Sequence, residues 1–292
     1  MASLKEVKSR ITSVISTQQI TKAMKMVAAA KLRRSQEKII QMRPFAKKLS
    51  SLLQNLSASG NEGQNWYNAV REEKKILIVA ITSDRGLCGS FNSTILKAVA
   101  KLVQEKYQTQ FNQGNVTILP IGKKAFEFFG KRPVYKLKGE YSTLMTALSF
   151  EKVSEAAEYM MDSFKKGEYD KIEVVYNEFK NVATQILRTE QFLPVVSTQT
   201  EKIEDTDYIY QPDREEIITG LIPKSLRVQL FKAVLDSNAA ENGARMTAMD
   251  KATENAGEML KELKLTYNRT RQAAITKEIL EIVAGAEALK SA

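Results

Sequence analysis

The 292-residue chain contains no histidine, a single cysteine (Cys88), one tryptophan and six prolines. Without histidine, a Ser–His–Asp triad and a histidine-liganded zinc site are both excluded, and one thiol is too few for a thiolate metal site. The lone cysteine also rules out an intrachain disulfide and suits a reducing compartment. No run of 18 apolar residues occurs, so no membrane-spanning helix is expected, and residues 1–10 lack the apolar core of a signal peptide. A soluble or peripheral protein is the expectation. Aromatic residues are 8% of the chain, and Phe45 is the only one among the charges of the basic N-terminal arm. That scarcity disfavours a stacking platform for single-stranded nucleic acid.

Hydrophobic content of 43% and charged content of 27% are ordinary for a globular protein. The net charge of +10 is not evenly spread. Residues 1–56 carry twelve Lys/Arg against Glu6 and Glu37, residues 57–212 carry twenty of each sign, and residues 213–292 carry twelve of each. The whole surplus therefore sits in the N-terminal arm. A basic arm of this kind is a solvated helix face, or it meets nucleic acid, anionic lipid or an acidic protein surface.

Both ends of the chain read as long helices. Over residues 1–60, Leu4, Val7, Ile11 and Val14 keep coiled-coil spacing, and Ile20, Met24 and Val27 resume it after an expected shift of register. A kink is expected at Pro44, and the Ser/Gly/Asn-rich residues 57–63 end the element. Over residues 213–292, a short helix is expected to stop at Gly220, and Pro223 suits the first turn of a second, much longer helix. Leu235, Ala239, Asn242, Met246, Met249, Thr253, Ala256, Leu260, Leu263 and Tyr267 maintain strict 4-3 alternation. Gly243 and Gly257 weaken a helix interior by about 1 kcal/mol each relative to Ala, so close packing against a neighbour is expected at both. The two terminal helices then pair most simply as an antiparallel coiled coil.

From Ile279 to Leu289 the last helix is apolar on nearly every side. A helix of that character is enclosed by protein or lipid, yet it falls well short of the roughly 20 residues that cross a bilayer. A sleeve supplied by other subunits is the expected housing.

Residues 70–212 have a different pattern. Strands are predicted at 75–82, 116–121 and 172–176, with an antiparallel edge strand at 186–193 and helices near 91–107, 125–129 and 151–166. Strands alternating with helices predict a small, mainly parallel, Rossmann-like α/β domain inserted between the long helices. The loop Ser83–Asn92 follows the first strand, where open α/β sheets hold ligands. It carries neither the G-x-G-x-x-G nor the Walker A spacing, so a structural or partner-contact loop is expected there. Cys88 has no histidine to activate it and reads as a packed residue. Glu204, Asp205 and Asp207 are potential acid/base or hard-metal ligands, but no turn glycine or regular spacing accompanies them, and a solvated acidic loop is expected.

Five motifs carry a family resemblance. Ile20–Lys31 (ITKAMKMVAAAK) resembles the N-terminal motif of the gamma subunits of F-type ATP synthases. Ile275–Thr276, Glu278, Glu281 and Gly285–Ala286 are similar to that family's C-terminal signature. Ala244–Arg245–Met246 with Ala248–Met249, Tyr267–Asn268 with Arg271–Gln272–Ala273, and Asp84–Gly89 resemble it as well. The resemblance covers the chain from end to end, in order. It implies a non-catalytic, cofactor-free rotor shaft that couples proton-driven rotation to ATP synthesis. The coiled coil would lie in the axial cavity of an alpha3-beta3 hexamer, and the α/β base would meet the epsilon subunit and the c-ring. Membrane association would come only through that complex, at the cytoplasmic face of the bacterial plasma membrane. The resemblance places Met24 and Arg245 near an acidic lever of the beta subunit, and Gln272, Thr276 and Glu278 near a higher beta loop. Lys25 occupies the middle of the methionine motif, where a basic residue could strengthen attraction to the lever. The plant-type regulatory insert with its cysteine pair is absent, so thiol control is not expected. The rival readings are a basic coiled coil that binds nucleic acid and a nucleotide-dependent enzyme in residues 70–212.

Overall fold

The computed structural model describes residues 3–58, 66–182, 184–195 and 214–290. Its centre is strand β1 (Ile76–Ile81), in which every residue is buried. A run with no polar alternation fits a strand covered on both faces. Strands β2 (Val116–Ile121) and β4 (Lys171–Phe179) pair with β1 in parallel, one on each side. The short β3 (Lys136–Leu137) adds to β2 in parallel, and β5 (Gln185–Leu193) adds to β4 antiparallel, giving the order β3-β2-β1-β4-β5. The expected edge strand is present; β3 is too short and too polar to leave a periodic signal. Because consecutive crossovers leave β1 in opposite directions, the sheet has a topological switch point between β1 and β4.

The pleat sends alternate β1 side chains into two cores. Leu77, Val79 and Ile81 pack with helix α5 (Phe150–Lys165) through Val153, Met160 and Phe164. Ile76, Ile78 and Ala80 pack with helix α2 (Phe91–Glu105) through Phe91, Ile95 and Val99, and with Phe129 of helix α4 (Lys123–Gly130). A short helix α3 (Gln108–Asn112) follows α2. The helix start at α4 depends on Gly122, whose φ is +106°. A Cβ there would lie 2.1 Å from the Thr82 carbonyl oxygen. Only glycine lets the chain pass that close to β1.

The long helices are α1 (Leu4–Ala58) and α6 (Arg214–Lys290). Pro44 lies inside α1, and α6 runs without a break through Gly220 and Pro223. The expected stop at Gly220 is therefore corrected: that residue is not among the glycines with positive φ, so it forms no left-handed cap. Ile222, Leu226, Leu230 and Val234 are buried in the α5-side core, and this packing holds the helix on course through the proline. Leu235 and Ala239 belong to the opposite core. Helix α6 thus leaves one layer and joins the other within a single turn.

The chain divides into two compact units, Ala28–Arg245 and the pair of segments Met1–Val27 with Met246–Ala292. In the second of these, the two helices run antiparallel: Thr21 Oγ1 lies 2.8 Å from Thr253 Oγ1, and Lys25 Nζ lies 2.5 Å from Asp250 Oδ1. The C-terminal seam expected from the sequence is the inward stripe, with Met249 and Ala256 buried and Thr253, Leu260, Leu263 and Tyr267 half-buried. The N-terminal seam differs from expectation. It continues without a shift through Val14, Gln18, Thr21 and Lys25, whereas Ile20 (59% exposed) and Val27 (57%) face outward. Polar pairing at the seam replaces the hydrophobic contact that the shifted register assumed. Gly257 supplies the expected close approach, since a Cβ on it would stand 3.2 Å from Gln18 Nε2. Within the other unit, Gly243 does the same against the Phe179 ring at 3.3 Å.

Gly122→Ala should destabilise the α/β unit by about 3 kcal/mol, since both φ and the Thr82 carbonyl oppose a side chain there. Urea unfolding followed by tryptophan fluorescence checks this; a loss below about 1 kcal/mol would show that the β1–α4 approach can relax.

Candidate functional site

Ligands of open α/β sheets bind beyond the carboxyl ends of the strands, at the switch point. Here that position is filled by α6. The Ser237 hydroxyl approaches the carbonyl of Ile81, the last residue of β1, at 3.5 Å, and both groups are buried. Gln185 Nε2 donates to the Ala240 carbonyl at 3.2 Å, and Gly243 sits against Phe179 at the end of β4. The helix therefore covers the crevice from β1 to β4.

The loop after β1 is committed in the same way. The Ser83 amide donates to Asn92 Oδ1 at 3.0 Å, and its hydroxyl donates to the Arg85 carbonyl at 2.6 Å. The two carboxylate oxygens of Asp84 accept from the Lys123 amide at 3.1 Å and from the Thr146 hydroxyl at 2.7 Å. Arg245 reaches this loop from α6: one guanidinium nitrogen donates to the carbonyls of Arg85 and Gly86 at 3.2 and 3.3 Å, and the other bonds Glu241 at 2.7 Å. The Arg245 and Glu241 side chains are only 13% and 11% exposed. The Ser83 hydroxyl and the Arg245 guanidinium, which could otherwise grip a phosphate, are thus engaged with the protein itself.

Two residues here have the altered acidity that marks chemical sites. Burial lifts the Cys88 thiol above its ordinary value despite its hydrogen bond with Ser83, which makes it a poor nucleophile. Burial likewise lifts the Glu241 carboxyl, against the pull of Arg245. An enclosed carboxyl paired to arginine has no access to a substrate, so its role is to fasten α6 to the loop. Among the described residues, no cluster of His, Cys, Asp and Glu could hold a metal ion. Glu204, Asp205 and Asp207 lie outside the described residues, as do most of residues 57–63.

What remains exposed has the chemistry of protein contact. Every described side chain from Arg271 to Glu287 is exposed, including Ile275, Ile279, Leu280, Ile282 and Val283. Gln272, Thr276 and Glu278 lie on this stretch; the Thr276 hydroxyl donates to the Gln272 carbonyl at 2.9 Å. Met24 is half-buried beside the α1 seam. Arg245 instead caps the Ser83–Asn92 loop. Sequence reasoning missed that loop's exposed tip, Leu87, which is 63% exposed and holds φ at +63°. The tight Gly86–Leu87–Cys88–Gly89 run was the available signal, because left-handed backbone is costly for a leucine side chain. It also missed the Lys25–Asp250 pair, for which opposite charges on two facing seams were the clue.

Comparison with known proteins gives one answer. A family model described as ATP synthase matches residues 3–289. The chain is 57% identical over 296 residues to the ATP synthase gamma chain of Cytophaga hutchinsonii, covering 100% of both chains. It is 54% identical over 292 residues to that of Flavobacterium johnsoniae, covering 99% of both. Among solved structures, the central stalk and c-ring assembly of Tetrahymena thermophila mitochondrial ATP synthase contains a similar chain, with a TM-score of 0.56 and 25% identity. That match covers 80% of this chain and 99% of the other.

The Glu241–Arg245 clasp gives a pH-dependent stability. The folded carboxyl sits above its ordinary value of 4.5, so this group favours the fold below about 4.5 and the contribution is lost as pH rises through the folded value. Glu241→Gln should therefore gain stability relative to the parent chain as pH is raised from about 4.5 towards neutrality. Arg245→Ala should cost about 3 kcal/mol near neutral pH, because it leaves a buried carboxylate unpaired, and the double variant should recover most of the loss. Urea midpoints across pH provide the measurement; equal losses in the single and double variants would contradict the clasp.

Proposed function

The chain belongs to the ATP synthase gamma chain family, and on that premise we propose that it is the central rotor shaft of a bacterial proton-translocating ATP synthase. Gamma chains are non-catalytic subunits, and the crevice filled by α6 is consistent with that role. The reading of the chain as a nucleic-acid-binding coiled coil finds no support in the comparisons. No described helix is long and apolar enough to cross a membrane.

The observation that carries the proposal is the exposed apolar stretch of α6 between Arg271 and Glu287. Five large aliphatic side chains on a single uncovered helix require an apolar housing. The axial cavity of an alpha3-beta3 hexamer would supply it, with Gln272, Thr276 and Glu278 facing a loop of the catalytic beta subunits. Met24 and Arg245 would work nearer beta's acidic lever, Met24 beside the outward-facing Ile20 and Val27 of the arm that carries the surplus positive charge, and Arg245 through the Ser83–Asn92 loop that it caps. The α/β base, expected over residues 70–212 between helical segments at 1–60 and 213–292, would meet epsilon and the c-ring. The complex would stand at the cytoplasmic face of the plasma membrane, with the shaft attached only through its partners.

The mechanism proposed is mechanical. A single asymmetric shaft cannot touch three identical beta subunits alike, so each is biased to a different conformation. Turning the shaft exchanges those biases. Moving a two-state subunit from 1:99 to 99:1 takes about 5.5 kcal/mol of differential contact energy, within the reach of a few charge-assisted hydrogen bonds at about 1.5–3 kcal/mol each.

Deleting residues 279–292 tests the housing directly. Because every described side chain from Ile279 to Glu287 is exposed, the truncated protein should retain the urea midpoint of its α/β unit. Reconstituted complexes should assemble more weakly or lose several-fold in proton-driven ATP synthesis relative to hydrolysis. Collapse of the whole fold on truncation would show that the terminus is a core element instead.

A further inference from the structure

Sequence and backbone are mismatched at the tip of the Ser83–Asn92 loop. Leu87 has a φ of +63° and is the one non-glycine with positive φ among the described residues. Left-handed backbone is costly for a leucine and nearly free for a glycine. Yet the glycine stands one place earlier, at Gly86, where φ is not positive and an added Cβ would meet nothing within 4 Å. Packing does not offset the cost, because the Leu87 side chain is 63% exposed. For folding alone, glycine would serve better at position 87.

The loop is fixed on both sides of this tip. Before it, the Ser83 hydroxyl donates to the Arg85 carbonyl at 2.6 Å, and Arg245 donates to the carbonyls of Arg85 and Gly86 at 3.2 and 3.3 Å. After it, Cys88 is buried; its carbonyl accepts from the Phe91 amide at 3.2 Å, and its sulfur accepts from Asn92 Nδ2 at 3.2 Å. The result is a rigid mount with one large apolar side chain at its apex. The nearby acids are engaged: Asp84 accepts from the Lys123 amide and the Thr146 hydroxyl, and Glu241 pairs with Arg245. Arg85, beside the tip, is exposed, and so is Lys31, whose charge acts on Glu241. An apolar apex with cationic flanks is complementary to a recess in an acidic protein surface.

A residue held in costly backbone with no packing return points to function. We propose that Leu87 is the apolar anchor by which the capped loop seats in a recess of the beta subunit's acidic lever. Arg245, Glu241 and Ser83 are positioning residues that hold the anchor in place. The inference rests on the proposed meeting of this loop with the lever, and it adds which side chain makes the contact. A lipid surface is the poorer match, because headgroup insertion uses an apolar stripe along an amphipathic helix, and here a single side chain stands on a turn.

The test separates anchoring from folding. Leu87→Gly removes the strain and the side chain together, and Leu87→Asn supplies a side chain that tolerates left-handed backbone but is not apolar. Both variants should unfold in urea at or above the parent midpoint. Both should nevertheless bind the reconstituted alpha3-beta3 hexamer roughly 10-fold more weakly, as expected for withdrawing a buried leucine. Leu87→Met, apolar and still strained, should bind within about 3-fold of the parent. In the assembled complex, a photo-crosslinking leucine analogue at position 87 should label beta. Normal binding by the Asn variant would overturn the proposal, as would a fall in urea midpoint that accompanies every loss of affinity. Labelling of another subunit without beta would overturn the partner assigned. If the parent chain does not bind the hexamer at all, the shaft reading fails, and this proposal with it.

Discussion

The α/β unit depends on the course of α6 across the carboxyl ends of β1 and β4. That one helix contributes Leu226, Leu230 and Val234 to one core and Leu235 and Ala239 to the other, so it locks both layers of the sheet. It also occupies the crevice in which such a sheet would hold a nucleotide. Stability and the filling of that crevice therefore have the same origin. Buried polar residues follow from this placement. Ser237, Glu241 and Arg245 satisfy strand-end and loop carbonyls, or one another, that water would otherwise serve.

The long helices use polar groups differently. Thr21 with Thr253, and Lys25 with Asp250, fix register in a seam whose apolar members are small or sparse. Polar seam positions specify alignment at some loss of stability. The consequence is that Ile20 and Val27 remain outside, available to partners, on the segment whose motif is similar to that of the gamma family. A well-packed hydrophobic seam would have hidden them.

Much of this was legible from residue pattern. The fully apolar run at 76–81 predicted a buried central strand, and the 4-3 spacing from Leu235 to Tyr267 predicted the inward face of α6. The exposed stretch from Ile279 to Glu287 was legible too, because the run is apolar on nearly every side. Three things were not. The α1 register was misread because Ile20 and Val27 outrank Thr21 and Gln18 on hydrophobicity, although the latter pair lies inward. Gly220 and Pro223 signalled a break that packing of Ile222 and Leu226 overrides. Arg245 gave no local sign that it would clasp the Ser83–Asn92 loop, since that bond joins residues 160 positions apart. Local pattern reports faces and periods; which polar group meets which across the fold is settled by tertiary geometry.

The central claim, that the chain turns as a shaft inside a catalytic ring, is tested most directly by tethering it. In a Cys88→Ser background, Gln272→Cys can be oxidised to a cysteine placed on the facing beta loop of the assembled complex. A shaft that must turn predicts that ATP turnover stops as the bridge forms and returns on reduction. Undiminished turnover with the bridge complete would contradict the rotary account.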